Sequence, residues 1–295
     1  MERAAWVALS GVSGLGPARF RRLLDGFGSA LGALQAGPAE ICACTDLPDS
    51  AAACLAEIPT RLEAIGEELV SLAEQGVRPL VWEDADYPAR LLSTSSPPPV
   101  LWQTGSADLN DRAVAVVGSR EASPEALSLA GSLASTLAQA GVTVVSGLAA
   151  GIDAAAHEGA VEAGGLTVGV CGCGVLTALM RGQEGLAGRV ARAGGLCSEL
   201  SPAAPLLPQT LHARDRIIAG LGEAVIVVEA RAGGGAVHTA KCALREGRAA
   251  LTVKWPDDHP APGNRELLGE GATALPRDQN GIAQVFDLPG LRRND

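Results

Sequence analysis

AVAVVGSR (Ala113–Arg120) and, about two dozen residues later, VVSGLAAGID (Val144–Asp153) decide how this chain folds. In each, a run of β-branched, apolar residues stops at a small glycine-containing turn: Gly118-Ser119-Arg120 in the first, Ser146-Gly147 in the second. A helical stretch separates them. Each strand therefore delivers its turn to the same edge of a parallel sheet, the edge where open α/β sheets bind ligands. Helix N-termini at that edge offer unpaired N–H groups to anions, and Arg120 adds a fixed positive charge suited to phosphate. The pairing predicts a phosphate-reading site, with a nucleic acid as its ligand.

Composition narrows the setting. The chain has 295 residues, enough for one large domain or two smaller ones, and 47% of them are hydrophobic. Only 3% are aromatic, so the core must be built from Ala, Val and Leu. A net charge of −10 excludes a generically basic nucleic-acid coat and requires any such site to be a local basic groove in an acidic body. Two lysines, Lys241 and Lys254, leave 21 of the 23 basic residues as arginine, a bias that the abundance of Ala and Gly traces to a GC-rich genome. The seven cysteines lack disulfide-scaffold spacing, the start has no long apolar leader, and no apolar run reaches membrane length. A reduced, cytoplasmic protein with no membrane partner is expected.

Residues 1–77 read as an all-helical unit, with Trp6, Leu9, Phe20, Leu23 and Leu24 largely at helical spacing. LSGVSGLGPARFRRLL resembles a helix-hairpin-helix whose glycine-rich turn can face a phosphate, with Arg19, Arg21 and Arg22 on the following helix. A purely structural hairpin reads equally well. A further helix is expected over Leu62–Gly76, a short strand over Pro79–Trp82, and a stiff extended connector at Pro97-Pro98-Pro99. From Ala113 the text alternates. Strands are expected at Val114–Val117, Thr143–Ser146, Thr167–Cys171, Gly195–Ser198, Ala224–Val228 and Ala249–Val253. Between them fall helices at Pro124–Ala140, Gly151–Ala163, Gly182–Ala193, Leu211–Leu221 and Val237–Glu246. Near-continuous apolar strands alternating with helices mean a parallel sheet covered on both faces, an α/β domain spanning 78–290.

The remaining motifs each carry two readings. Gly172-Cys173-Gly174 follows a buried strand but is neither a dinucleotide fingerprint nor a Walker loop, so no cofactor is expected. Asp153 and His157, four apart at a helix start, form an acid–base pair or, more plainly, a helix-terminus carboxylate and a backbone-bonded imidazole. Arg214 and Arg216, ahead of an apolar helix, face phosphate or pair with carboxylates such as Asp215 and Glu229. In RAGGGAVHTAK (Arg231–Lys241) the glycines admit a close backbone, and Thr239 and Lys241 offer a second phosphate contact or a solvated surface. His238 reads as a loop histidine rather than a base. Cys171 and Cys173 find no other Cys or His cluster that completes a metal set by spacing, so no metal is expected.

Taken in order, YPARLL (Tyr87–Leu92), AVVGSR, VVSGLAAGIDAAAH, GVCGCG, CSEL, RDRIIAGLGEAVIVVEA and GGGAVHTAKCALREGR resemble the bacterial DNA-processing protein A (DprA/Smf) family. The resemblance runs from about residue 86 to 275 and implies an extended Rossmann-like domain behind a helix-hairpin-helix-like N-terminal domain. It implies a non-enzymatic protein that binds single-stranded DNA and hands it to the RecA recombinase in natural transformation, as a homodimer. DNA-reading positions carry over to Gly118, Ser119 and Arg120, to Ser146 and Gly147, and to Arg181, Arg214, Arg216 and Lys241. Two segments depart from the family pattern. Val175–Gln183 replaces Leu-Asp-x-x-Tyr-Pro-(Lys/Arg)-x-Asn and keeps only the cation, Arg181. Leu211–Arg216 replaces Phe-Pro-x-Arg-Asn-Arg and sets a carboxylate, Asp215, beside the expected phosphate site. Two other readings therefore stand beside the mediator. One is a small-nucleotide-binding or nucleotide-cleaving Rossmann protein using Asp153, Glu229 or His157. The other is a degenerate family member that has lost DNA.

Overall fold

Three aromatic side chains tie the start of the chain to the rest of it. Trp6 lies 4.8 Å from Phe20 between ring centroids, and Trp82 stands edge-on to both, 5.8 Å from Trp6 and 5.7 Å from Phe20. In a chain with three phenylalanines and four tryptophans, this cluster concentrates much of the large apolar surface at one joint. The computed structural model describes residues 1–182 and 185–291, without the side chains of Asp49, Gln279 and Asn280.

The N-terminal helices are α1 (Glu2–Ser10), α2 (Pro17–Phe27), α3 (Ala30–Ala36), α4 (Pro38–Thr45) and α5 (Ala52–Glu74). Helix α5 starts ten residues before the expected Leu62, because Pro59 inside it reads as a break yet is accommodated in mid-helix. The glycine-rich turn between α1 and α2 is stitched to α4. Arg19 donates to the carbonyls of Gly14, Thr45 and Asp46 at 3.0–3.1 Å, and Arg22 pairs with Asp46 at 2.5 Å. Arg21 lies over the Trp82 ring at 5.0 Å. The hairpin's arginines thus serve its own packing.

The sheet strands are β1 (Val77–Val81), β2 (Val100–Gly105), β3 (Ala113–Val117), β4 (Thr143–Gly147), β5 (Thr167–Val170), β6 (Gly195–Ser198), β7 (Ala224–Val227), β8 (Ala249–Val253) and β9 (Thr273–Leu275). Interleaved with them run α6 (Ala89–Leu92), α7 (Pro124–Gln139), α8 (Ile152–Glu162), α9 (Val175–Gly182), α10 (Leu186–Ala193), α11 (Pro208–Leu221), α12 (Gly235–Arg245), α13 (Pro262–Gly269) and α14 (Gln279–Phe286). Strand order is β1-β2-β6-β5-β4-β3-β7-β8-β9; β6 to β9 are parallel, while β2 runs antiparallel to both β1 and β6. This is the expected Rossmann-like α/β architecture behind a helical N-terminal region. The chain progresses outward from β3 in one direction and from β7 in the other, so the strand order reverses between β3 and β7.

Alternation along β3 shows how the strand text was read correctly. Val114 and Val116 pack on the face with α7 and α8, while Ala113, Ala115 and Val117 pack on the face with α11 and α12. Both faces are buried, so no polar residue interrupts the run. Two strands were not legible. Strand β2 begins directly after Pro97-Pro98-Pro99, which read as connector; that connector is pinned by Tyr87 and Trp82, both donating to the Pro98 carbonyl at 2.7 and 2.9 Å. Strand β9 is a three-residue edge, too short to show a period. The expected helix Gly182–Ala193 is present as α10, beginning at Leu186; α9 is an additional helix over the altered segment, whose Gln183 lies outside the described residues. No helix among the described residues is long and apolar enough to cross a membrane.

The motif residue Arg90 locks the connector to the sheet. Its guanidinium donates to the carbonyls of Leu109, Asn110, Asp111 and Leu221 and pairs with Glu223 at 3.0 Å. Apolar contact then runs without a gap from Trp6 and Phe20 to Val77, Val100, Trp102 and Val190. Phe20→Ala, which empties the aromatic joint, is expected to cost about 3–5 kcal/mol. In urea titrations the Trp fluorescence and far-UV circular dichroism of this variant should lose signal in one coincident transition.

Candidate nucleic-acid interface

At the β3–β7 reversal, where helices diverge to opposite faces and leave a crevice, a cleft of about 530 Å³ opens. The Gly118–Glu121 turn, Asp153 at the start of α8, Arg214 and Asp215 of α11 and the Gly234-Gly235 start of α12 line it. The turn needs its glycines. A Cβ on Gly118 would stand 2.5 Å from Ile152 and 2.8 Å from the Glu229 carbonyl. Gly151, at φ +83°, brings its Cα so near the turn that a Cβ would stand 2.2 Å from the Ser119 carbonyl.

Those turns spend their polar groups inside the protein. Ser119 N donates to Glu229 O at 2.7 Å, and Ile152 N to Ser119 O at 3.2 Å. The backbone N–H groups of Gly118 and Ala149 favour the ionised form of the Asp153 carboxylate. Ser146 is fully buried and donates to Val116 O at 2.6 Å. Gly147, also buried, accepts from His157 Nε2 at 2.7 Å. His157 itself is fully buried with Nδ1 2.6 Å from Thr167 Oγ1, the backbone-bonded imidazole of the plainer reading.

Arg214 sits beneath this edge. It is only 8% exposed; Nη1 donates to Val170 O at 2.9 Å, Nε lies 3.2 Å from Asp215 Oδ1, and Nη2 lies 4.0 Å from Asp153 Oδ2. A Cβ on Gly147 would be 1.9 Å from Nη1, so glycine is what lets the guanidinium in. Asp215, 5% exposed, turns Oδ2 outward to His238 Nδ1 at 3.2 Å and His212 Nδ1 at 3.9 Å. Burial raises its pKa, against the attraction of Arg214 and the hydrogen bond from His238.

The other expected cations are distributed differently. Helix α11 begins at Pro208, favoured at the first helical position, so Arg214 and Arg216 lie in its middle rather than at its start. Two residues apart on a helix, they point to different sides. Arg216 is held by both oxygens of Glu199 at 3.0 and 2.6 Å. Lys241 bridges Glu266 and Glu270 at 2.7 and 2.8 Å on the α12–α13 face. Glu229 takes no arginine among the described residues; it accepts from Ser123 N and Oγ at the start of α7 and pairs with His259 at 2.6 Å. Arg181, exposed on α9, and Arg120, exposed on the cleft rim, make no ion pair among the described residues. The rim also carries Arg231, paired with Glu121, and the His212 imidazole, with His238 beside it. Neither histidine was legible as a site residue, because His212 and His238 sit on different helices and meet only across the fold.

Two buried groups titrate in opposition. Desolvation, opposed by Arg214 and the two backbone N–H groups, pushes Asp153 up from 3.8 to about 6. Desolvation, opposed by the Gly147 hydrogen bond and assisted by Arg214, pushes His157 down from 6.5 to about 4. Between about pH 4 and 6 the folded state binds the Asp153 proton more tightly than the unfolded chain, so this group's contribution to stability falls as pH rises. Over about pH 4 to 6.5 the unfolded chain binds the His157 proton more tightly, so that contribution rises. Asp153→Asn removes the falling part. Its stability relative to the parent is expected to increase by on the order of 3 kcal/mol between pH 4 and 6.5 in a urea-denaturation series.

Comparison with known proteins agrees with this architecture. The family described as DNA recombination-mediator protein A matches residues 78–286. Protein Smf of Synechocystis sp. is 30% identical over 298 residues, covering 98% of this chain and 74% of the relative. Protein Smf of Escherichia coli is 37% identical over 203 residues, covering 68% of this chain and 54% of the relative, so the chain spans about half of that longer protein. The X-ray structure of DNA processing protein A from Streptococcus pneumoniae superposes with a TM-score of 0.78 at 27% identity, covering 98% of this chain and 100% of that one. DNA processing protein A from Helicobacter pylori shares the fold at a TM-score of 0.63 and 24% identity, over 71% of this chain and 95% of that one. Sequence pattern, relatives of high coverage and fold coincide, and the chain belongs to the DNA recombination-mediator protein A family.

Proposed function

We propose that the sheet edge around the cleft holds the backbone of single-stranded DNA, and that the protein is a cytoplasmic recombination mediator rather than an enzyme. In this reading a homodimer hands the strand to a RecA-type recombinase during DNA uptake. The observation that carries it is Arg120: an exposed guanidinium without a carboxylate partner among the described residues, on the rim of a cleft at the topological switch point, in a body of net charge −10. Arg181, exposed in the last turn of α9 and in no ion pair among the described residues, is the second candidate cation, on the helix that follows β5. DNA processing protein A from Helicobacter pylori has a single-stranded DNA binding mode, and this family relation supports the same ligand here.

The proposed contacts divide by how they are held. Arg120 and Arg181 reach phosphate directly; Gly118 and Ser119 form the floor on which the backbone lies. Gly147 acts from beneath, by leaving room for Arg214, and Ser146, bonded to the Val116 carbonyl, fixes the strand end that carries it. Arg214, Arg216 and Lys241 contact DNA only by exchanging a carboxylate for a phosphate, which makes them the weaker contributors. The cleft volume also falls within the range of about 300–1,000 Å³ usual for small ligands, so mononucleotide competition is the discriminating control.

Fluorescence anisotropy of labelled oligo-dT of several lengths, with duplex and mononucleotide competitors across a salt series, tests the reading. Tight, length-dependent binding that weakens with salt is expected; saturation by a mononucleotide would favour the small-ligand reading instead. Arg120→Glu is expected to weaken binding at least tenfold without changing the melting temperature. It should also reduce the salt slope by about 0.7, the share of one single-strand phosphate contact. A folded Arg120→Glu protein that binds like the parent overturns the assignment. Lys241→Ala should fall well short of that loss.

A further inference from the structure

Two imidazoles and a buried carboxylate converge where α11 meets the start of α12. His212 and Asp215, three apart on α11, share one helix face, and His238 reaches them from α12. Their nearest ligating atoms all lie within 4.8 Å of one another, with 3.2 Å between Asp215 Oδ2 and His238 Nδ1 and 3.9 Å between Oδ2 and His212 Nδ1. The two rings stand edge to face, 5.7 Å apart, so both nitrogens approach the same oxygen instead of stacking past it.

We propose that His212, Asp215 and His238 bind a divalent transition-metal ion of the zinc class at the mouth of the cleft. The donor set selects the ion: imidazole nitrogen with a single carboxylate suits zinc and its first-row neighbours, whereas magnesium and calcium take oxygen ligands. The spacing suits it too. A tetrahedral ion with bonds of about 2.0–2.1 Å has ligand edges of about 3.3–3.4 Å, so one edge is already in place and His212, its side chain 68% exposed, closes the rest by a side-chain rotation. The supporting shell is also present. Arg214 Nε lies 3.2 Å from Asp215 Oδ1, leaving Oδ2 for the ion, and His238 Nε2 faces Cys242 Sγ at 3.9 Å, leaving Nδ1 to ligate. Three protein ligands leave at least one coordination position for water or an incoming oxygen ligand.

The test uses the whole protein, stripped with a chelator and free of nucleic acid, so its outcome is independent of the DNA reading. Zinc chloride is titrated by calorimetry and cobalt(II) by visible absorption, with thermal melting in parallel. One equivalent of saturable binding, a higher melting temperature and cobalt bands without a thiolate charge-transfer band are expected. Loss of an outer-shell partner alone costs about 10–100-fold in affinity, so His212→Ala and Asp215→Asn should each weaken binding by at least about a hundredfold. His212→Ala, at an exposed side chain, should keep the metal-free melting temperature of the parent. Absence of saturable binding, a thiolate band, or unchanged affinity in both variants overturns the proposal.

Discussion

The buried guanidinium of Arg214 is the constraint around which the ligand edge of this protein is arranged. A cation taken out of water must be paired and hydrogen-bonded or its burial is prohibitive, and here one backbone carbonyl and two carboxylates answer it. The consequences reach outward. Gly147 must remain glycine because its Cβ would occupy the guanidinium. Asp153, buried beside it, is pushed up to about 6 by desolvation, and Arg214 with the backbone N–H groups of Gly118 and Ala149 acts against that rise. Asp215, engaged by Arg214 on one oxygen, presents the other to two imidazoles at the surface.

This arrangement alters how arginine should be read in an acidic chain. Arg19, Arg21, Arg22, Arg90 and Arg216 all stood where a basic surface could be imagined, yet each is bound to carbonyls, an aromatic face or a carboxylate of its own protein. A planar fork of five donors is well suited to that internal use. What sets Arg120 and Arg181 apart from these five is therefore not their charge but that no carbonyl, aromatic face or carboxylate holds either one among the described residues. In a body of net charge −10, such unpartnered cations are where an external anion gains most.

Much of the fold was legible because its period is strong. Strands β3, β4, β5, β7 and β8 are buried on both faces, so they stand out as uninterrupted Val/Ala/Leu runs with a helix between each and the next. The failures have equally local causes. Strand β2 hid behind three prolines, β9 was too short, α5 carried Pro59 in its interior, and α9 is a helix of only eight residues between a loop and the next helix. At the site, the turn at Gly118-Ser119-Arg120 was correctly placed on the carboxyl edge. Its N–H groups were expected to face a ligand; instead Ser119 N donates to the backbone carbonyl of Glu229 and Gly118 N supports the Asp153 carboxylate, because the sequence does not say which acceptors will pack beneath a turn.

Residue types and their periodicity alone determined the doubly covered parallel sheet, the edge at which its turns gather, and the presence of arginine there. Those properties follow from backbone geometry and apolar burial, which act through near neighbours in the chain. Tertiary structure decided which charges survive as free charges. Arg216 and Glu199 are 17 residues apart, Lys241 and Glu266 are 25 apart, and His238 meets Asp215 across 23. Pairing of this kind depends on distances of a few ångströms between helices that the sequence places far apart. Coulomb and hydrogen-bond energies change steeply over that range, so only the packed fold separates a cation that binds its own protein from one that is left to bind something else.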